Sequence, residues 1–267
     1  MPALGLTLAQ YAPRGSSADN LAAMGPLVSE AAQAGSHLVV FPEYSHAFTP
    51  GLGAEWAGAA ESLEGVFVSG LTSLSRDNGG IVIIAGMLVV DSSGGLPANT
   101  QVAVGESGVL ARAEKIHLYD AFGASESAWI RPGSAEAPEL FALQGLHIGM
   151  MACYDLRFPE VSRRLVDAGA HVIVTPAQWV PGDTKAHHFE TLLAARAIET
   201  QTFVVASDHP EPWGIGLSQV VDPRGLIVAR AGAGEELIPA VLDPELLAGV
   251  RKENPMAEAR RFGVTPL

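Results

Sequence analysis

Six short stretches of this chain are apolar through most of their length: LGLTLAQ at 4–10, HLVVF at 37–41, IVIIAGMLVV at 81–90, LHIGMMA at 146–152, HVIVTP at 171–176 and TFVVAS at 202–207. A strand with one face in water alternates apolar and polar residues, and most of these runs do not, so both of their faces must be covered. Helical patterns separate them, over 17–34, near 61–77, after Pro159, and from Asp183 to about Glu199, and two further strands read as NTQVAV at 99–104 and GVLARAE at 108–114. Strands and helices that alternate in this way specify an α/β fold. The longest run is too short to cross a bilayer, and the N-terminal MPALGLTLAQ has no basic segment ahead of a long apolar one.

The pattern repeats weakly. AGSHLVVFPE at 34–43 and AGAHVIVTPA at 168–177 agree at Ala, Gly, His, one Val and Pro, and GVLAR at 108–112 is echoed by GLIVAR at 225–230. Either two buried strands happen to look alike or the fold holds two like halves. Two similar mixed sheets packed face to face, with helices outside, would cover both faces of every strand. No low-complexity segment or charge block divides the chain, which predicts one domain over residues 1–267.

Charge narrows the partners. With 16 Lys and Arg against 29 Asp and Glu the formal net charge is −13, a field that repels nucleic acid and anionic membrane surfaces. The single cysteine, Cys153, excludes an internal disulfide and leaves no CxxC pair for structural zinc, as expected of a cytoplasmic protein.

Cys153 stands in MMACYDLRFPE, between a strand and a helix that Pro159 is suited to begin. It reads either as a small packing residue or as a nucleophile whose thiolate the positive end of the helix favours. Glu43 follows the strand in VVFPEYS, where ligands of α/β sheets gather; Lys115 ends a strand in RAEKIHLYD; Glu126 lies in FGASESAWIRPG. Each has an ordinary structural alternative. As a set they describe one chemistry: a thiol nucleophile, a carboxylate whose pKa burial holds up to serve as base, and an ammonium that, with the backbone N–H of Tyr154, stabilises an oxyanion.

The segments FPEYS, EKIHLYD and CYDLRFPE resemble, in order, the three signatures of the nitrilase, or carbon–nitrogen hydrolase, superfamily, and PAQW, ETLLAARAIE and GLSQVVDPRG extend the likeness over nearly the whole chain. The resemblance implies a four-layer α-β-β-α sandwich, with Glu43 as general base, Lys115 on the oxyanion, Cys153 as nucleophile and Glu126 as a second acid. It implies no metal and no organic cofactor, and assembly as a homodimer or larger even-numbered oligomer. The details look most like the branch of omega-amidases and deaminated-glutathione amidases. The expected reaction is therefore hydrolysis of a linear carboxamide through a cysteine thioester; nitrilase or N-carbamoylase action would use the same residues, and a silent binding protein would use none. Thr200 replaces a frequent Asn and Ala113 a common aromatic, which leaves the substrate open.

Around this core, Arg157 reads either as the partner of a substrate carboxylate or as a helix anchor. Trp179 and Phe122 read as pocket walls or as packing. His117, His187, His188, Arg196 and Glu199 read as structural.

Overall fold

Leu4, Leu6 and Leu8 face one side of the first strand and Ala9 the other, and both sides are buried in separate apolar clusters. A computed structural model describes residues 2–49 and 54–266. Its strands are β1 (Leu4–Gln10), β2 (Leu38–Val40), β3 (Val82–Val89), β4 (Ala98–Gly105), β5 (Gly108–Glu114), β6 (Leu140–Leu143), β7 (Leu146–Met150), β8 (Val172–Pro176), β9 (Phe203–Ser207), β10 (Gln219–Val221), β11 (Ile227–Arg230) and β12 (Glu236–Leu242). Its helices are α1 (Ser17–Gln33), α2 (Ala54–Ala57), α3 (Val66–Asp77), α4 (Pro159–Asp167), α5 (Lys185–Thr200), α6 (Pro244–Glu253) and α7 (Met256–Ala259), with single 3₁₀ turns at Glu126–Ala128 and Cys153–Arg157.

The strands form two six-stranded mixed sheets, ordered β12-β1-β2-β3-β4-β5 and β6-β7-β8-β9-β10-β11. Each runs through one antiparallel pair, two parallel pairs and two antiparallel pairs. The two sequence echoes thus occupy equivalent places: β2 matches β8, third in each sheet, and β5 matches β11, sixth in each. Leu6, Val40 and Ile84 of one sheet meet Ile148, Val174 and Val205 of the other between the layers. Met24 and Val28 of α1 and Phe67 and Leu71 of α3 cover the outer face of the first sheet. Leu165 of α4 with Phe189 and Leu193 of α5 covers the second. The expected four-layer α-β-β-α sandwich is the fold, and each fully buried Leu or Ile in it contributes roughly 1.5–3 kcal/mol.

Local chemistry sets the boundaries. Ser16 caps α1 by accepting from the Asp19 N–H at 3.2 Å. The helix expected from residue 61 begins instead at Val66, because Glu61 bridges to Val89 and its carboxylate accepts from the Phe67 N–H at 2.8 Å, capping the helix from outside. Strands β6, β11 and β12 carry exposed positions and sit toward sheet edges, so their apolar signal is weaker than that of β3 or β8.

Candidate active site

The site is assembled where strands end. Glu43 lies just beyond β2, Lys115 directly follows β5, and both belong to the first sheet; Cys153 follows β7 and Gln178 follows β8 in the second. The backbone is forced at two of these turns: Tyr44 has φ +56° and Cys153 φ +40°, left-handed values that side chains other than Gly seldom take and that cluster at functional sites. Gly86 in β3 makes the first turn possible, since a Cβ there would come within 2.7 Å of Glu43 Cα and of the Tyr44 nitrogen. Asp155 fixes the second. Its carboxylate accepts from the Ala152 N–H at 3.2 Å and the His117 N–H at 2.9 Å, and bonds the His117 ring at 2.8 Å, so it ties the Cys153 turn to the Lys115 segment.

Glu43, Lys115 and Glu126 are each 1–2 % exposed. Lys115 Nζ donates to Glu43 Oε1 at 3.0 Å and to Glu126 at 2.9 Å. Glu43 Oε1 also accepts from Asn99 Nδ2 at 2.7 Å, and its Oε2 accepts from the Gln178 N–H at 2.8 Å. Glu126 accepts from the Tyr44 hydroxyl and from the Tyr119 N–H. Cys153 Sγ lies 3.5 Å from the Gln178 carbonyl, so the thiol and the Glu43 carboxylate flank the backbone of the same residue. An ion cluster this deep is sustained only because nearly every lone pair and proton has a partner.

Burial sets the proton affinities. It pushes the Glu43 carboxyl up, against the opposing charge of Lys115. It also opposes the charge on Lys115, but Glu126 and then Glu43 override it and hold the ammonium well above the ordinary lysine value. The Cys153 thiol is pushed well above its usual value, first by burial and then by Glu43. Cys153 sits in its own 3₁₀ turn ahead of α4, not in the first turn of that helix. A thiol held up in this way needs a base to react, as the expected pairing with a carboxylate requires.

Cys153, Glu43, Lys115 and Glu126 line one narrow cavity, with Tyr154, Arg157 and Trp179 also on its wall. Trp179 is held by its indole N–H to the Lys185 carbonyl at 2.9 Å and by its backbone N–H to the buried Asp208 carboxylate at 2.6 Å. Arg157 lies with Cζ 4.7 Å from the centre of the Trp179 ring, and its Nε and Nη2 are buried without an acceptor. Phe122 is not part of the wall; it is 72 % exposed, its ring against the Lys185 ammonium. His117 stacks on Phe158, and His187 and His188 on α5 stay outside the cavity. Arg196 pairs with Glu199 and donates to the Leu156 carbonyl at 3.1 Å, stitching α5 to the Cys153 turn. Thr200 and Ala113 lie off the cavity wall.

Sequence reasoning missed Asn99, Tyr44, Gln178, Asp155 and Lys185. Asn99 carried a partial signal, the first of three consecutive polar residues with Thr100 and Gln101 in a strand buried throughout, each of which needs a partner. The Gln178 contribution is a backbone N–H, which no side-chain pattern announces.

A carbon–nitrogen hydrolase family model matches residues 5–252. The chain is 40 % identical over 204 residues to the deaminated glutathione amidase of Escherichia coli O157:H7, covering 76 % of this chain and 77 % of the relative. It is 31 % identical to omega-amidase NIT2 of Xenopus tropicalis over 268 residues, 96 % of this chain and 94 % of that one. Among solved structures, Nit3 of Saccharomyces cerevisiae, a member of branch 10 of the nitrilase superfamily, superposes with a TM-score of 0.84 at 27 % identity and 97 % coverage of both chains. The family match spans both sheets and every strand-end residue that meets in the cavity, and the chain belongs to the carbon–nitrogen hydrolase family.

Proposed function

We propose that this chain is a cofactor-independent amidase working as one domain, in which Glu43 is the base, Cys153 the nucleophile, and Lys115 with the Tyr154 N–H the oxyanion support. The observation that carries the reading is the single cavity in which a buried thiol from one sheet meets a buried carboxylate and ammonium from the other. Glu43 takes the thiol proton as sulfur attacks the amide carbonyl, and the oxygen gains the negative charge that Lys115 offsets. The tetrahedral adduct collapses, Glu43 returns the proton to the leaving nitrogen, and ammonia departs from a Cys153 thioester. Glu43 then takes a proton from water, whose oxygen attacks the thioester; the carboxylic acid leaves and the thiol is restored. Glu126 accepts a second hydrogen bond from the Lys115 ammonium and holds it in place beside Glu43.

Two of the relatives are named for deaminated glutathione and for omega-amides. A small amide that carries a carboxylate fits both names and the unpartnered nitrogens of Arg157. A panel of amides, nitriles and N-carbamoyl amino acids, read by ammonia release, tests the reading. Turnover of carboxamides above the other two classes is expected, and turnover of nitriles or carbamoyl compounds alone would replace it.

The pH profile follows from the buried carboxyl. A raised Glu43 pKa keeps the base protonated, and inactive, further toward neutrality, so kcat/KM should rise with pH to a plateau, with its midpoint above the ordinary carboxyl value of 4.5. Because Lys115 is held above its ordinary 10.5, no alkaline fall from that group should appear below that pH. A profile flat down to pH 4.5 would contradict the base assignment.

For assembly, the proposal is a cytoplasmic homodimer or larger even-numbered oligomer without nucleic-acid or membrane partners. The net charge of −13 supports the absence of nucleic-acid and anionic membrane partners. The exposed apolar side chains Leu226, Ile227 and Val228, with Ile198 against Gly225, support self-association. Among the described residues no helix is long and apolar enough to cross a membrane. Light scattering at micromolar concentration should give at least twice the chain mass of 27.8 kDa; a monomer would refute it.

A further inference from the structure

Strand β9 ends at Ser207, and the next two residues, Asp208 and His209, are fully buried. Neither lines the cavity that holds Cys153. The chain beyond them folds back so closely that a Cβ on Gly214 would lie 2.3 Å from the His209 carbonyl oxygen and 2.9 Å from Asp208 Oδ2.

His209 bonds the main chain of the base: its Nε2 lies 2.6 Å from the Glu43 carbonyl oxygen. A carbonyl only accepts, so Nε2 carries the proton and donates. The ring packs on Phe48 with centres 4.8 Å apart, Nδ1 is buried without a partner, and burial lowers the pKa to about 4, so the imidazole is neutral near pH 7. Asp208 reaches the other half of the site. Its carboxylate accepts from the Trp179 N–H at 2.6 Å and from the Ile215 N–H at 3.0 Å. The Trp179 N–H and the Gln178 carbonyl belong to one planar peptide and point opposite ways, so the hold on the first aims the second at Cys153 Sγ, 3.5 Å away. The N–H one residue earlier, that of Gln178, is the donor that Glu43 Oε2 accepts at 2.8 Å.

Two consecutive residues thus grip the base by its backbone and the strip of main chain that lies between base and thiol. That spacing needs a support, because Glu43 follows a strand of one sheet and Cys153 a strand of the other, and the residue after Glu43 is held at φ +56°. With Nδ1 unpaired, the polar contribution of His209 is a single aimed donor.

We infer that Asp208 and His209 act together as the positioning element that sets the Glu43 carboxylate against the Cys153 thiol, His209 from the Glu43 main chain and Asp208 from the Gln178–Trp179 peptide. The inference rests on the amidase reading above, and its test separates the two.

Three variants of His209 differ in reach. In His209→Gln an amide nitrogen takes the place of Nε2, in His209→Asn it reaches only as far as Nδ1, and His209→Phe fills the space of the ring with no donor. None changes a charge near pH 7, and the other titratable groups around Glu43, which are Lys115, Glu126, Tyr44, Cys153 and Asp208, stay as they are. By ammonia release, kcat should fall about 10- to 100-fold in His209→Phe and His209→Asn, the cost of a misplacement of about 1 Å, with KM near that of the parent; His209→Gln should keep most of the rate. The acid limb of kcat/KM should move to higher pH in the first two, because a carboxylate seated less squarely on the Gln178 N–H is less stabilised when charged, and should stay in place in His209→Gln. A role in stability alone would lower the melting temperature and leave that limb where it is. Asp208→Asn, which turns an NH₂ on the Trp179 or the Ile215 N–H, should also lower kcat with KM held.

Parental kcat and acid limb in His209→Phe, equal losses in His209→Asn and His209→Gln, or parental kcat in Asp208→Asn overturns the inference. Should His209→Phe not fold, the comparison of asparagine with glutamine decides alone. Labelling of Cys153 by iodoacetamide, which needs the base but no turnover, should slow in His209→Asn and hold in His209→Gln. If the parent hydrolyses no amide, the amidase reading fails while labelling still decides the positioning role, equal rates in those two variants overturning it.

Discussion

Cys153→Ala should lose turnover by about 10⁴- to 10⁶-fold, to the floor of the assay, because no other side chain can form the covalent intermediate. Cys153 is the only cysteine in the chain. The fold should survive: alanine removes one buried sulfur atom and keeps the Cβ of a backbone already held at φ +40°, a change worth roughly 1–2 kcal/mol. A thermal melt near that of the parent, measured beside ammonia release, separates lost chemistry from lost structure. Activity above a few per cent of the parent in uncontaminated protein would end the nucleophile assignment.

Glu43→Gln should reduce kcat by roughly 10²- to 10⁴-fold, the usual worth of a positioned acid–base group. Its cause is more specific than the loss of a charge. Oε1 accepts from Asn99 and Lys115, and Oε2 from the Gln178 N–H. A glutamine turns its oxygen toward the first two and its NH₂ toward the third, donor against donor, which destabilises the fold by about 1–3 kcal/mol. The thiol, pushed up by burial, then has no base, so alkylation by iodoacetamide should slow along with turnover. Unchanged labelling would shift the base role, with Glu126 the next carboxylate in the cavity.

Strands such as IVIIAGMLVV and HVIVTP were legible because they are buried on both faces and therefore apolar at nearly every position. The edge strand β11 was legible only through its echo of β5: much of it faces solvent, and its composition carries little signal. Glu43, Lys115 and Cys153 stood out because acid, base and thiol are unusual at the ends of apolar strands. What joins them did not stand out. Gly86, the Gln178 N–H and the Asp155 latch act through close backbone approach and main-chain donors, which depend on two distant segments meeting. Proximity to a helix in sequence likewise says nothing about how fully the Cys153 sulfur is buried. Lys185 had a signal in its place at the start of α5, against the helix dipole.

Acid-quenched mass spectrometry of the parent during turnover of its amide, followed by peptide mapping, addresses the thioester directly. The peptide that contains Cys153 should carry the acyl group of the substrate, equal in mass to the amide less ammonia, and should lose it on treatment with hydroxylamine. An acyl group on any other side chain, or an unmodified Cys153 peptide while ammonia is being released, would contradict it.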